Sequence, residues 1–154
     1  MPTNNYSTLR FRDLKVGDRF DLGTHALTLP EMLDFAKKYD PQPFHLNDEG
    51  AQANGLFERT SASGWLSIML LQKLIADFWK DTHVRGLAGA GVDRIEWATP
   101  TYADEPLQCS MSIEMVRPSA SKPHIGLMTM CVTLTKQDQQ LATLLRITGV
   151  FEND

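Results

Sequence analysis

Apolar and polar positions follow a helical period in the first half of the chain and a strand period in the second half. No proline occurs between Ser61 and Trp79, and apolar residues cover more than half of the helical wheel there. They are Leu66, Met69, Leu70, Leu71, Leu74, Ile75 and Phe78. A helix that is apolar over so much of its circumference is buried on several sides. We therefore expect the core to form around this helix.

The second half of the chain predicts four strands. Residues 107–115 and 128–134 alternate strictly between apolar and polar side chains, which is typical of strands with one solvated face. Residues 141–151 form a further run rich in β-branched and aliphatic residues, and residues 89–97 supply one more strand. Polar or proline-containing turns separate residues 107–115, 128–134 and 141–151, so we expect hairpins.

Two shorter elements precede the long helix. Residues 20–24 alternate and predict a half-buried strand. Residues 28–31, Thr-Leu-Pro-Glu, predict a helix start with a threonine cap, a proline in the first turn and a glutamate at the capping-box position. This helix should end near Tyr39, because Pro41 and Pro43 prevent its continuation.

The order of these elements predicts an α+β fold in which a long antiparallel sheet curls around one central helix. Residues 1–18 are expected to form a loosely ordered lead-in. No repeat or linker divides the chain, so we expect residues 1–154 to form a single domain. The open margins of such a sheet are seldom left unpaired, which favours an oligomer.

Composition excludes several classes of protein. The chain has 15 Lys and Arg against 19 Asp and Glu, a net charge of -4, which argues against nucleic acid as the main partner. No apolar run reaches the ~18 residues needed to span a bilayer. The start of the chain lacks the layout of a signal peptide, so we expect a cytoplasmic protein without membrane association.

Neither the cysteines nor the histidines show the spacing of a metal site, so we expect no metal or redox cofactor. These residues are Cys109, Cys131, His25, His45, His83 and His124.

Asp40 and His45 lie on either side of Pro41 and Pro43. Proline fixes its own φ and restricts the preceding residue, so the segment is stiffer than most loops. A stiff segment that presents a carboxylate and an imidazole can hold one water between them for acid–base catalysis. The same spacing also arises where Asp ends a helix and His packs in the core, so the pair alone leaves both interpretations open.

The predicted start of the long helix carries the sequence Ala62-Ser63-Gly64-Trp65. The first turn of a helix has unpaired amides and a partial positive charge. Gly64 has no side chain to obstruct a ligand oxygen, so this helix start could stabilise negative charge on a carbonyl. The alternative is that Ser61 or Ser63 caps the helix and Gly64 allows close packing.

Together and in this order, the two segments resemble the MaoC-like dehydratases and the related (R)-specific enoyl-CoA hydratases, which have the hotdog fold. That family's motif of Asp, two residues, Pro, one residue and His is similar to residues 40–45. Residues 62–65 match the start of the family's central helix, and the resemblance extends over residues 11–151. Two positions depart from the pattern, since Gln42 replaces a usual Asn and Ser63 replaces a common His.

The resemblance implies reversible addition of water to a trans-2-enoyl thioester, giving the (R)-3-hydroxyacyl thioester. It implies that Asp40 and His45 act as a coupled acid–base pair, in which the separate roles stay open. It also implies that the Gly64 amide donates a hydrogen bond to the thioester carbonyl oxygen. Candidate substrate-binding residues are Gln42, Ser63 and Trp65. The resemblance implies no cofactor. It implies a homodimer or a larger homo-oligomer.

Two other functions remain open. One is a non-catalytic hotdog module that binds an acyl thioester or a partner protein, and the other is a thioesterase that directs water to the carbonyl. The Asp40–His45 segment resembles hydratases more than thioesterases.

The carrier of the thioester is open between CoA and an acyl-carrier protein. Four basic residues could meet CoA phosphates or could be solvated surface. They are Arg59, Arg94, Arg117 and Lys122. Four strand methionines could line an acyl pocket, although methionine at strand spacing is more often core filling. They are Met111, Met115, Met128 and Met130.

Overall fold

A five-stranded antiparallel sheet and one long helix make up most of the computed structural model, which describes residues 5–154. The helices are α1 (Leu29–Tyr39), α2 (Pro43–Leu46), α3 (Asp48–Asn54) and α4 (Gly64–Lys80). The strands are β1 (Arg19–His25), β2 (Gly86–Trp97), β3 (Leu107–Pro118), β4 (Ile125–Lys136) and β5 (Leu141–Glu152). The predicted α+β class and the order of elements are confirmed.

The strands are arranged in the order β1-β3-β4-β5-β2, so that β1 and β2 form the two edges. Every neighbouring pair is antiparallel, and the three consecutive strands β3, β4 and β5 are joined by short turns. Alternate residues of β3 point into the core, as their period predicts, and α4 packs against β1, β4 and β5. The core therefore lies between one face of the sheet and α4.

Helix α1 begins with the predicted capping box. The Thr28 side chain accepts a hydrogen bond from the Glu31 amide at 3.3 Å, and the Glu31 carboxylate accepts one from the Thr28 amide at 3.1 Å. The helix ends at Tyr39, directly before Asp40. The capping residues and the prolines thus fix both ends of the helix that leads into the Asp40 segment.

Helix α4 is less enclosed than its composition predicts. Ile68, Leu71 and Ile75 are buried, but the side chains of Trp65 and Met69 are 52% and 49% exposed. The sheet of one chain covers only part of the helix circumference. The apolar stripe of α4 that contains Trp65 and Met69 is therefore only partly covered by the other described residues.

The expectation of a loose lead-in over residues 1–18 is wrong for residues 11–14. Phe11–Asp13 forms a 3-10 helix, and Phe11 and Leu14 are buried in the core. The Phe11 ring stacks on Phe151 with 5.9 Å between centroids. Gly126 of β4 leaves room for this ring, since a Cβ atom there would lie 2.2 Å from it. Residues 1–4 of the expected lead-in lie outside the described residues.

The strand methionines fill the core. Met111, Met128 and Met130 are buried within the main apolar cluster, and Met115 is half-buried. None of them lines the cavity at Asp40 that is described below. Burial also raises the pKa of the Cys109 thiol on β3 to about 12, so that this thiol stays neutral.

Candidate active site

The segment between α1 and α3 is a helical turn rather than an extended loop. Asp40 is the residue that follows α1, and Pro43 occupies the first position of α2, where its missing N–H costs no hydrogen bond. The backbone carbonyl of Gln42 accepts a hydrogen bond from the His45 amide at 2.9 Å. This turn brings the His45 side chain back toward Asp40.

Asp40 and His45 face each other. His45 Nε2 lies 3.4 Å from Asp40 Oδ2, and the His45 residue is only 7% exposed. His45 Nδ1 lies 2.8 Å from the carbonyl oxygen of Ser61. Because a carbonyl only accepts hydrogen bonds, Nδ1 carries the hydrogen, and in the neutral imidazole Nε2 presents a lone pair. A carboxylate oxygen and a ring nitrogen arranged in this way can share one water molecule.

The segment before α4 holds the turn that carries His45. The Ser61 amide donates to the Phe44 carbonyl at 3.1 Å. One residue earlier, the Thr60 amide and hydroxyl donate to Asp48 Oδ1 at 2.8 and 2.6 Å. These two hydrogen bonds, led by the one from the hydroxyl, hold the pKa of Asp48 below its ordinary value. The start of α3 and the His45 turn are therefore fastened to one short segment.

Gly64 is the first residue of α4, so its amide points outward from the helix without an intrahelical partner. A Cβ atom at position 64 would lie 2.5 Å from Trp97 Nε1, which is far too close. The indole of Trp97, at the end of β2, also meets the Trp65 ring edge-on at 5.2 Å between centroids. Only glycine permits this approach of Trp97 to the helix start.

A cavity of about 340 Å³ joins the two segments. Asp40, His45, Gly64 and Trp65 all line it, so the predicted acid–base pair and the predicted helix start share one space. Aromatic side chains complete much of the wall, namely Phe44 from the turn that carries His45, and Phe57 and Trp97 from two other parts of the chain.

Solved structures show which proteins this chain is similar to. No protein-family model matches the chain, and no curated protein matches it. A MaoC-like dehydratase from Rhodospirillum rubrum is 29% identical, covers 93% of this chain and 96% of its own, and has a TM-score of 0.79. The chain is similar to this MaoC-like dehydratase over nearly its whole length and shares the hotdog fold.

Two less similar solved structures share the fold. The (R)-hydratase from A. caviae involved in PHA biosynthesis is 22% identical, with 90% of this chain and 97% of that chain covered and a TM-score of 0.69. A (3R)-hydroxyacyl-ACP dehydratase complex, HadBC from Mycobacterium tuberculosis, is 17% identical, with 88% and 96% covered and a TM-score of 0.75. These three solved structures are thus of hydratases and dehydratases.

Two of the predicted substrate-binding residues of this MaoC-like chain lie away from the cavity. The Gln42 side chain is exposed and does not line it, because Gln42 precedes the α2 turn and contributes its backbone carbonyl instead. Ser63 is fully buried and also does not line the cavity, since its hydroxyl donates to Asp40 Oδ2 at 2.7 Å. Trp65 does line it.

Several residues at the site were not predicted from the sequence. The rings of Phe44 and Phe57 stack at 5.1 Å, and Phe44 meets His45 edge-on at 4.5 Å. Thr101 and Thr143 also line the cavity. Thr101 lies beside the helix start because its carbonyl accepts from the Ala62 amide at 2.8 Å. The only signal for Phe44 was its place inside the motif, and nothing local marks the others.

None of the four basic residues considered for CoA phosphates lines the cavity within the described part of the chain. Arg94 pairs with Glu96 at 2.6 Å, and the Arg59 guanidinium lies 4.9 Å from the centre of the Tyr102 ring. Arg117 donates to the Pro118 carbonyl at 3.2 Å, and Lys122 is exposed.

Residues 5–154 contain no group of three or more His, Cys, Asp or Glu side chains placed to hold a metal ion. No helix formed by these residues is both long and apolar enough to cross a membrane.

Proposed function

We propose that the chain is an acyl-thioester hydratase and dehydratase, which adds water reversibly to trans-2-enoyl-CoA to give (R)-3-hydroxyacyl-CoA. The observation that carries this proposal is that Asp40, His45 and Gly64 line the same cavity. The reactions named for the solved relatives support it, since they are dehydratases and (R)-hydratases.

Gly64 binds the thioester carbonyl in this mechanism. Its outward amide donates a hydrogen bond to the carbonyl oxygen, and the partial positive charge of the α4 N-terminus adds to the attraction. Both interactions strengthen as negative charge develops on that oxygen. The donor therefore stabilises the enolate-like transition state more than the ground state.

Asp40 and His45 hold the water. The water oxygen forms a bond to the β-carbon of the enoyl group, and one proton of the water passes to the pair. The electrons of the double bond move toward the α-carbon and the carbonyl, and a proton from the pair then completes the C–H bond at the α-carbon. The sum is addition of H and OH with no change in oxidation state of the protein, and the pair ends as it began.

Aromatic rings shape the path to these groups. Trp65 and Trp97 line the cavity beside Gly64, whereas Phe44 and Phe57 line it beside His45. Apolar walls exclude bulk water from the developing charge, which increases the worth of each hydrogen bond. Trp65 thus stays a proposed substrate contact, together with Trp97.

A homodimer formed through β2 is part of the proposal. Most residues of this edge strand are exposed, and Leu87, Val92 and Trp97 add large apolar side chains to the surface. The apolar stripe of α4 with Trp65 and Met69 is exposed as well. Because an open, apolar edge is seldom left unpaired, a second copy on β2 is the natural cover. Light scattering should give twice the chain mass, and a monomer at micromolar concentration would contradict this.

The test of function is a panel of thioesters. Trans-2-enoyl-CoA substrates of several chain lengths, the matching enoyl-acyl-carrier-protein thioesters and saturated acyl-CoA substrates are each incubated with the protein. Loss of enoyl absorbance with formation of the (R)-3-hydroxy product is the expected result. Release of free thiol instead would identify a thioesterase, and binding without either change would identify a non-catalytic module. Either result would overturn the proposal.

The panel also compares CoA with an acyl-carrier protein as the carrier. The cytoplasmic location and the single domain over residues 1–154 stay predictions from the sequence.

A further inference from the structure

Ser63 stands where a helix-capping side chain belongs but does not cap the helix. It is the residue before α4, and its hydroxyl makes no hydrogen bond to the amides of the first turn. The hydroxyl donates instead to Asp40 Oδ2 at 2.7 Å, across 23 positions of sequence. The Ser63 residue is 0% exposed, so neither solvent nor a cavity ligand competes for this hydrogen bond.

The oxygen that Ser63 contacts is the one that faces the imidazole. Asp40 Oδ2 lies 3.4 Å from His45 Nε2, too far for a strong direct hydrogen bond and close enough to share a water. A hydroxyl bonded to a carboxylate at this distance is a charge-assisted interaction, stronger than one between neutral groups. Among the described residues, no other side chain donates a hydrogen bond to the Asp40 carboxylate.

The other member of the pair is held separately. His45 Nδ1 is bonded to the backbone carbonyl of Ser61, which sets the ring orientation and leaves Nε2 toward Asp40. Without Ser63, the Asp40 carboxylate could rotate about its side-chain torsions while the ring stayed in place. The distance from Oδ2 to Nε2 therefore depends on the Ser63 hydroxyl.

On the basis of the proposed hydratase function, we propose that Ser63 is a positioning residue. Its hydroxyl holds Asp40 Oδ2 in the orientation in which this oxygen and His45 Nε2 bind one water. Ser63 does not touch the substrate, because it is fully buried and does not line the cavity. The serine that replaces the family's common histidine thus acts through the carboxylate.

Ser63→Ala tests this role. The expected result is a fall in kcat of roughly 10- to 100-fold, because misplacement of a catalytic group by about 1 Å has an effect of this size. The KM for the enoyl thioester should change by less than about twofold, since binding energy from the cavity wall is untouched. Ser63→Thr keeps a hydroxyl on the same carbon and should recover most of kcat.

Thr129→Val is the matched control. Thr129 is a buried residue of β4 whose hydroxyl bonds to Thr148 at 2.8 Å, and it does not line the cavity. This variant also loses one buried hydroxyl hydrogen bond, and it should keep the wild-type kcat. The midpoint of thermal unfolding is measured for all variants.

The outcomes separate cleanly. An unchanged kcat in Ser63→Ala, a rise in KM alone, or an equal fall of kcat in Thr129→Val would each overturn the positioning role. If Ser63→Thr does not fold, the role of Ser63 is tested by comparing kcat and KM of Ser63→Ala with those of the Thr129→Val control. A wild-type protein that hydrates no thioester of the panel refutes the proposed function itself, whereas an active wild type with a fully active Ser63→Ala refutes only the role of Ser63.

Discussion

The indole of Trp97 lies directly on Gly64, so that the end of the edge strand β2 closes over the start of the central helix. A side-chain carbon at position 64 would overlap the indole, with 2.5 Å to its nitrogen. The relationship ties the proposed carbonyl donor to the strand at which a second copy would pair. The shape of the cavity beside Gly64 therefore depends on how Trp97 packs.

Gly64→Ala should reduce activity while leaving the amide of residue 64 in place. The added methyl group displaces the Trp97 indole, and we expect kcat/KM to fall by about tenfold because a cavity wall moved by roughly 1 Å misplaces the substrate. Since Trp97 is 47% exposed and can move outward, the loss of stability should be only about 1 kcal/mol. Enzyme kinetics and tryptophan fluorescence measure the two effects.

A double-mutant cycle with Trp97→Ala provides the control for Gly64→Ala. Removal of the indole abolishes the overlap, so the Gly64→Ala change should cost less in the Trp97→Ala background than in the wild type. Equal effects in both backgrounds would show that the methyl group acts by some route other than the indole.

Asp40→Asn and His45→Ala should each lower kcat for enoyl-thioester hydration by at least about 100-fold, the usual range for loss of a general acid or base. Circular dichroism should show a folded protein in both cases. Gln42→Ala tests whether the Gln42 side chain binds substrate, as the sequence predicts, or lies away from the cavity, as in the structure. Its exposed side chain does not line the cavity, so its kcat and KM should stay within about twofold of the wild type. Full activity in both Asp40→Asn and His45→Ala would remove the catalytic assignment.

Thr60→Val should change how stability depends on pH. The Thr60 hydroxyl and amide lower the pKa of Asp48 from its ordinary value of 3.8, so the folded state binds the Asp48 proton more weakly than the unfolded state does. The stabilisation is therefore fully present above pH 3.8 and is lost as pH falls through the lowered pKa of the folded state. We expect the free energy of unfolding of wild type and variant to differ most near neutral pH.

Urea unfolding at a series of pH values measures this difference for Thr60→Val. The gap between the two proteins should narrow once the Asp48 carboxyl is protonated in the wild type. A gap that stays constant, or widens, in acid would mean that the Thr60 hydroxyl does not act through the Asp48 carboxylate.

Gly126→Ala should destabilise the protein through the segment before β1. A Cβ atom at position 126 would lie 2.2 Å from the Phe11 ring, and overlap of this kind in a packed core costs about 1–3 kcal/mol. Phe11→Leu in the same chain should relieve part of the overlap while it loses some burial. Denaturant unfolding of the single and double variants gives the coupling. If residues 11–14 were loose, Gly126→Ala would be tolerated without loss.

Much of the fold could be predicted from the sequence because it follows from regular periods and from capping residues. Thr28, Pro30 and Glu31 fix the start of α1 through local contacts that do not depend on the rest of the fold. The packing of Phe11 could not be predicted, since one aromatic residue in a polar stretch has no period. The exposed stripe of α4 was also missed, because an apolar wheel does not say which neighbour covers it.

The site shows the same division. Asp40, His45 and Gly64 could be named from a motif, and the structure brings them to one cavity. The hydrogen bonds that orient them could not be predicted, because Ser63 meets Asp40 and Ser61 meets His45 across 23 and 16 positions of sequence. Serine at a helix start has an ordinary capping role, and only the three-dimensional contact shows that the Ser63 hydroxyl is used elsewhere.

The short stretch from Thr60 to Gly64 sets the relative positions of the groups at the site. Thr60 fastens the start of α3, Ser61 orients the imidazole, Ser63 contacts the carboxylate and Gly64 offers the amide. Insertion or deletion of one residue in this stretch would therefore displace several of these groups from their partners at once. The aromatic rings of Phe44, Phe57 and Trp97 lie outside this stretch, so substituting them would change the size of the cavity without changing the sequence spacing of the reacting groups.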